Sequence, residues 1–173
     1  MKTLKNIFES VTIEPTSVKS TSTYTEIWWR DLNVQLKKSH QQHIINGYMD
    51  MIRRNFWDES DKKREIRRWE NQPPYIFDGF SAYIKQFGIQ DPIISITISG
   101  SNPKDKWSSM ATVISYIRIP NPDKKEYSLN ELIELANIAI DKLNSKTTKV
   151  VKYMANNWTL PNEYIDYNTF IKL

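Results

Sequence analysis

His40 and His43 are the only histidines of the chain, and their spacing of three places both imidazoles on one face of a helix. Such a pair would ligate a metal if a carboxylate such as Glu26 or Asp50 came near, because zinc and its neighbours take nitrogen and oxygen ligands in threes and fours. No further ligating motif accompanies them. The Gln-rich stretch around them reads as a helix surface, and no metal or cofactor is assigned. A Ser-His-Asp triad would have to use one of the same two histidines, and no Gly-x-Ser-x-Gly elbow is there to present a serine.

Carboxylates are the other route to catalysis, since a glycosidase or a metal-dependent nuclease needs two or three acids brought together. Asp105-x-Trp107 and Asp123-x-Lys125 come nearest to such a core. Both fall in segments that read as loops, whereas that chemistry seats its acids on strands. Asp58, Glu59 and Asp61 are simply acids at the positive end of a helix dipole. The glycines Gly47, Gly79, Gly88 and Gly100 are too widely spaced for a phosphate-cradling loop. The chain has no cysteine, so a thiolate nucleophile, a thiolate zinc site and a disulfide framework are excluded. No catalytic residue is assigned, and the chain reads as a non-enzyme.

Recognition chemistry has more material. Arg53-Arg54, Lys62-Lys63-Arg64 and Arg67-Arg68, with Trp57 and Trp69 at the ends, supply cations for phosphates and rings for stacking on bases. The acids Asp50, Asp58, Glu59, Asp61, Glu65 and Glu70 dilute that segment, so nucleic-acid binding through residues 53–68 is kept as the alternative reading. Trp28 reads as core. Trp107, between Lys106 and Ser108 in a polar loop, is hard to bury by pattern. Interfaces concentrate aromatic and arginine anchors, so Asp105, Lys106 and Trp107, together with Trp69, Arg67 and Arg68, are the expected contact residues for a protein partner.

The elements that must position these residues centre on Ile93 to Leu143. Two β-branched runs, near 93–99 and 110–119, predict adjacent strands joined by a loop over 100–109. Ser128-Leu129-Asn130-Glu131 is a capping box opening an amphipathic helix near 129–143. Leu4, Ile7, Phe8 and Val11 have helical spacing. Helices are also expected from Glu26 to Lys38 through Ile27, Trp28, Leu32 and Leu36, over His40 to Phe56, over Asp58 to Glu70, and over Ile76 to Phe87 with Gly88 as a left-handed cap. Residues 145–157 suit either a helix or a strand over Lys149 to Tyr153. The expected fold is α+β: a helix-rich N-terminal half with a small, mostly antiparallel sheet covered by the 129–143 helix. Val11–Val18 and Lys149–Tyr153 are candidates for extra strands.

A chain of 173 residues, 39% hydrophobic and with six Trp, nine Tyr and six Phe, is read as one globular domain over 1–173. No apolar run approaches the roughly 20 residues that a membrane helix needs. The N-terminus lacks the apolar core of a signal peptide, so a soluble cytoplasmic protein is expected. The net charge of +4 comes from interspersed signs.

The strand-loop-strand-helix run from Ile93 through Trp107 to Leu143, in a cysteine-free single domain rich in Trp and Tyr, resembles the small immunity proteins that bacteria carry beside polymorphic or contact-dependent toxins. That resemblance implies one-to-one occlusion of a toxin's active site by a preformed surface, and it carries over no residue. Inhibitors of basic nucleases are expected to be acidic, so a chain of this charge would face a neutral or acidic toxin domain, or use a local acidic patch such as Asp123, Glu126, Glu131 and Glu134.

Overall fold

The computed structural model describes residues 13–34, 36–55, 57–71 and 76–173, with the backbone alone at 105–108 and 110. Six strands form one sheet in sequence order. They are β1 (Ser17–Ser20), β2 (Tyr24–Leu32), β3 (Ile76–Phe87), β4 (Ile93–Asn102), β5 (Asp105–Arg118) and β6 (Ile165–Asp166). Each neighbouring pair is antiparallel except β5 with β6, which is parallel. Helices α1 (Lys38–Arg54) and α2 (Glu59–Asn71) are inserted between β2 and β3, while α3 (Leu129–Ser145) and α4 (Thr147–Asn156) separate β5 from β6. A short α5 (Tyr167–Ile171) ends the chain. Among the described residues no helix is long and apolar enough to cross a membrane.

This architecture overturns the expectation of a helix-rich N-terminal half beside a small sheet. Residues 26–32 and 76–87, expected to be helical, lie in strands, and the sheet runs through most of the chain. The reason lies in the burial pattern, which alternates with period two. Ile27 and Trp29 of β2, and Phe80, Ala82, Ile84 and Gln86 of β3, point inward and are almost fully buried, while Trp28, Tyr83 and Lys85 point to the other face. Gly88 does adopt left-handed backbone, at φ 51°, but it turns the β3–β4 hairpin instead of capping a helix. Residues 147–156 are helical, so the strand alternative at Lys149–Tyr153 falls, and among the described residues of the candidate strand Val11–Val18, Ser17 and Val18 enter β1. The expected N-terminal helix from Leu4 to Val11 lies outside the described residues.

The strands expected near 93–99 and 110–119 form and extend further, to β4 and β5. The expected loop over 100–109 is instead a hairpin whose turn is Pro103-Lys104, with Asn102 opposite Asp105. The Asn102 Oδ1 accepts from the Lys104 backbone N–H at 3.0 Å. The N-cap half of the expected capping box forms: Ser128 Oγ accepts from the Glu131 N–H at 3.2 Å and opens α3, while the Glu131 carboxylate pairs with Lys125 at 2.6 Å.

All of the long helices lie on one face of the sheet. On that face Ile27, Ile84, Ile94, Ile96, Ile98 and Ile117 are sealed from solvent against Leu132, Ala136, Ala139, Ile140 and Leu143 of α3 and Val150 and Met154 of α4. Burying each isoleucine contributes about 2 kcal/mol. Helices α1 and α4 approach so closely at Gly47 that a Cβ there would meet the Ala155 carbonyl oxygen at 2.4 Å. The loops are fastened by two buried amides. Asn121 Nδ2 donates to the Ile89 and Lys125 carbonyls at 2.9 and 2.8 Å. Gln86 Nε2 donates to the Gln90 and Lys125 carbonyls at 2.9 and 2.8 Å.

Candidate interaction surface on the open face of the sheet

Period-two alternation puts every second side chain of the strands on the face away from the helices. Register turns these into rows. Ser17, Trp28, Tyr83, Ser95 and Tyr116 stand opposite one another across β1 to β5. One step along, Lys19, Glu26, Lys85, Ile93, Arg118 and Asp166 form a second row reaching β6. In the other direction Ser81, Thr97 and Val113, then Gly79, Ser99 and Ala111, make a half of small side chains. Arg30, Phe87, Ala111 and Arg118 are exposed and the remaining residues of the aromatic half are mostly half-buried by one another. Among the described residues no helix covers this face.

The aromatic half is an interlocked layer of rings and cations. Trp28 and Tyr83 lie 4.6 Å apart between ring centres, and Tyr24 and Phe87 lie 5.6 Å apart. The Arg30 guanidinium sits 4.4 Å over Trp28, and Lys85 Nζ sits 4.3 Å from the Tyr24 ring and 4.7 Å from Phe87. Arg118 lies 3.9 Å over Tyr164, whose ring approaches Tyr116 edge-on at 6.4 Å. Contacts of this kind contribute about 0.5–1 kcal/mol each at exposed sites. They also hold long, flexible cations in fixed positions.

One carboxylate belongs to this layer. Glu26 accepts the Trp28 indole N–H at 2.6 Å and pairs with Lys85 at 3.1 Å. Partial burial opposes its ionisation, but the indole, Lys85 and Lys19 outweigh burial and hold its carboxyl below the usual range. The Tyr116 phenol is pushed upward, first by burial and then by Tyr83 and Tyr164. Between Tyr83 and Tyr116, Ser95 is 0% exposed and its Oγ has no hydrogen-bond partner among the described residues. A buried hydroxyl left unsatisfied costs about 1–3 kcal/mol, so this position is held at a cost to stability.

The residues expected from sequence to make contacts are dispersed. Trp69 is 1% exposed and packs in the core, stacked on Phe77 at 6.1 Å and 4.7 Å from Tyr48, with its indole donating to Glu65 at 2.9 Å. A contact residue must be accessible, so Trp69 is taken out of any surface. Arg67 and Arg68 are exposed on α2, outside the strands that carry the open face. Asp105, Lys106 and Trp107 begin β5 instead of lying in a loop, and only their backbone is described.

The basic segment is largely self-paired. Arg53 meets Asp50 at 2.8 Å, Arg54 meets Glu163 at 2.8 Å, Lys62 meets Glu59 at 3.2 Å, Arg64 meets Asp61 at 2.7 Å and Arg68 meets Glu65 at 3.8 Å. Lys63 and Arg67 are left as its cations without an acid partner among the described residues. His40 is buried, with Nδ1 accepting from the Lys37 backbone N–H at 3.0 Å, which leaves Nε2 to donate to Thr148 Oγ1 at 3.1 Å. Both ring nitrogens are therefore occupied, which removes the pair with His43 as a metal chelate. Among the described residues no group of three or more His, Asp or Glu is placed to hold a metal ion.

Sequence reasoning missed Trp28, Tyr83, Lys85, Tyr116 and Arg118 as a group. The available signal was the alternation of Glu26, Trp28 and Arg30 with Ile27 and Trp29, which marks a strand with two different faces. Compared with protein-family models, with curated proteins and with solved structures, the chain finds no match.

Proposed function

We propose that the chain is a non-enzymatic binding protein whose contact surface for a protein partner is the open face of the sheet. The observation that carries this reading is the layer of Trp28, Tyr83, Tyr116, Arg30, Lys85 and Arg118. Trp, Tyr and Arg are the residues in which interface energy concentrates. Five strands about 4.8 Å apart, with eight residue steps of about 3.3 Å along β4, give a platform of roughly 20 by 26 Å. That suits the central part of an interface burying about 800 Å² per partner. The rings turn their faces to one another and to cations, which favours a protein surface over bases that would have to stack between them.

The immunity activity suggested by sequence character is one form of this proposal, with a toxin domain as the partner and the cytoplasm as the place of action. The test places a photo-crosslinking benzophenone amino acid at Ala111, exposed on the open face, and at Asp141, exposed on α3, in cells that naturally make the protein. Protein adducts from position 111 and none from 141 are expected. Adducts at 141 alone, or equally at both, would sink the proposal.

A further inference from the structure

We infer that the open face takes an acidic protein segment, one that sets carboxylates against Arg30, Lys85 and Arg118 and lays its chain over the small-residue half beside Thr97 and Ser99. This rests on the open face being the contact surface and adds the chemistry of what it contacts. Cations outnumber acids on the face. Lys19, Arg30, Lys85 and Arg118 project from it, while of the two carboxylates in its rows Glu26 is consumed by Lys85 and the Trp28 indole and Asp166 caps α5 by accepting from Thr169. Arg30 has no acid partner among the described residues. Among the described residues the ion pair of Arg118 is with the Asp91 carboxylate, 3.9 Å away.

These cations are also preorganised. Arg30 and Arg118 rest over Trp28 and Tyr164, so their guanidinium groups are positioned before a partner arrives. A planar guanidinium held in place loses little freedom on pairing with a carboxylate, and the fork geometry allows two parallel hydrogen bonds. Glycine, serine, threonine and alanine at 79, 81, 97, 99 and 111 leave the adjoining half of the face lower than the ring layer, so a segment can lie there against a wall of Trp28, Tyr83 and Tyr116.

The test uses the full chain, immobilised, to select short random peptides displayed on phage. Enrichment of Asp and Glu among the selected peptides is expected, together with affinity that falls at least tenfold in the double variant Arg30→Glu with Arg118→Glu and that declines with rising salt. Circular dichroism of that variant verifies its fold, and Arg67→Glu on α2, checked alongside, should leave binding unchanged. Peptides without acids, insensitive to the two reversals but lost on Ala111→Arg, would overturn the acidic partner and leave the face as the contact surface. Peptides indifferent to all substitutions on the face would overturn both. Failure to enrich any peptide, or binding of oligothymidylate to the face in place of acidic peptides, overturns the inference as well.

Discussion

Gly47 of α1 and Ala155 of α4 touch backbone to backbone, with the position of a Gly47 Cβ only 2.4 Å from the Ala155 carbonyl oxygen. Glycine within a helix is unfavourable by about 1 kcal/mol relative to alanine, so Gly47→Ala would stabilise an isolated α1. In the protein the opposite sign is expected. The new methyl group must push two packed helices apart, and overpacking of this kind costs about 1–3 kcal/mol. A denaturant melt of Gly47→Ala that shows an unchanged or raised midpoint would refute the close approach.

Trp69→Ala and Trp57→Ala should separate core from surface. Trp69 is 1% exposed and Trp57 is 46% exposed. Removing a buried tryptophan costs about 3–5 kcal/mol, whereas the exposed one should change stability by less than about 0.5 kcal/mol. Equal midpoints for the two variants would count against the placement of Trp69 between Phe77 and Tyr48.

Ser95→Ala and Ser115→Ala remove buried hydroxyls that have no partner. Each should be neutral or raise stability by about 1 kcal/mol, because the desolvation of an unsatisfied group is lost with it. Both side chains are sealed from solvent, so neither change should alter the capture of peptides by the open face. A loss of stability in both variants would mean that the hydroxyls are satisfied.

His40 predicts a pH dependence. Burial lowers its proton affinity, with Lys37 and His43 adding to the effect. The unfolded chain takes up a proton near the ordinary value of 6.5, and the folded chain only at lower pH. Between those two values the unfolded state binds more protons, so stability falls as the pH drops below about 6.5 and levels off once the folded form is protonated too. Urea midpoints measured from about pH 8 down to 5 should show that slope, and His40→Asn should flatten it. An identical slope in the variant would assign it to another group.

Glu26→Gln should cost less than about 1 kcal/mol, since its pair with Lys85 is partly exposed. Its folded carboxyl titrates below the usual range, so its contribution is present above the unfolded value and is lost as pH falls through the folded one. The same change frees Lys85 and should strengthen the capture of acidic peptides. Weaker capture would indicate that Glu26 itself makes a contact.

The elements legible in the sequence are those with one chemical character per face. Ile93 to Ser99 is recognisable because β-branched residues fill it, and Leu129 to Leu143 because its capping serine and apolar stripe agree. Residues 24–32 and 76–87 were hidden by the very side chains that make the candidate site. Trp28 beside Ile27, and Tyr83 and Phe87 among Phe80 and Ile84, put large apolar rings on both faces of a strand. Both faces then look apolar, and the leftover spacing imitates a helical stripe. Which aromatic faces the core and which faces outward is decided by register across strands far apart in sequence, and no local pattern reports that.

The lengths of the two outermost strands also bound how molecules can meet side by side. An exposed sheet margin presents unpaired amides and carbonyls on which another chain can polymerise. Among the described residues one margin is β1, four residues long with Lys19 within it, and the other is β6, two residues long. Neither offers a long apolar template, so growth into fibres by strand addition is disfavoured, whatever the broad face between them meets.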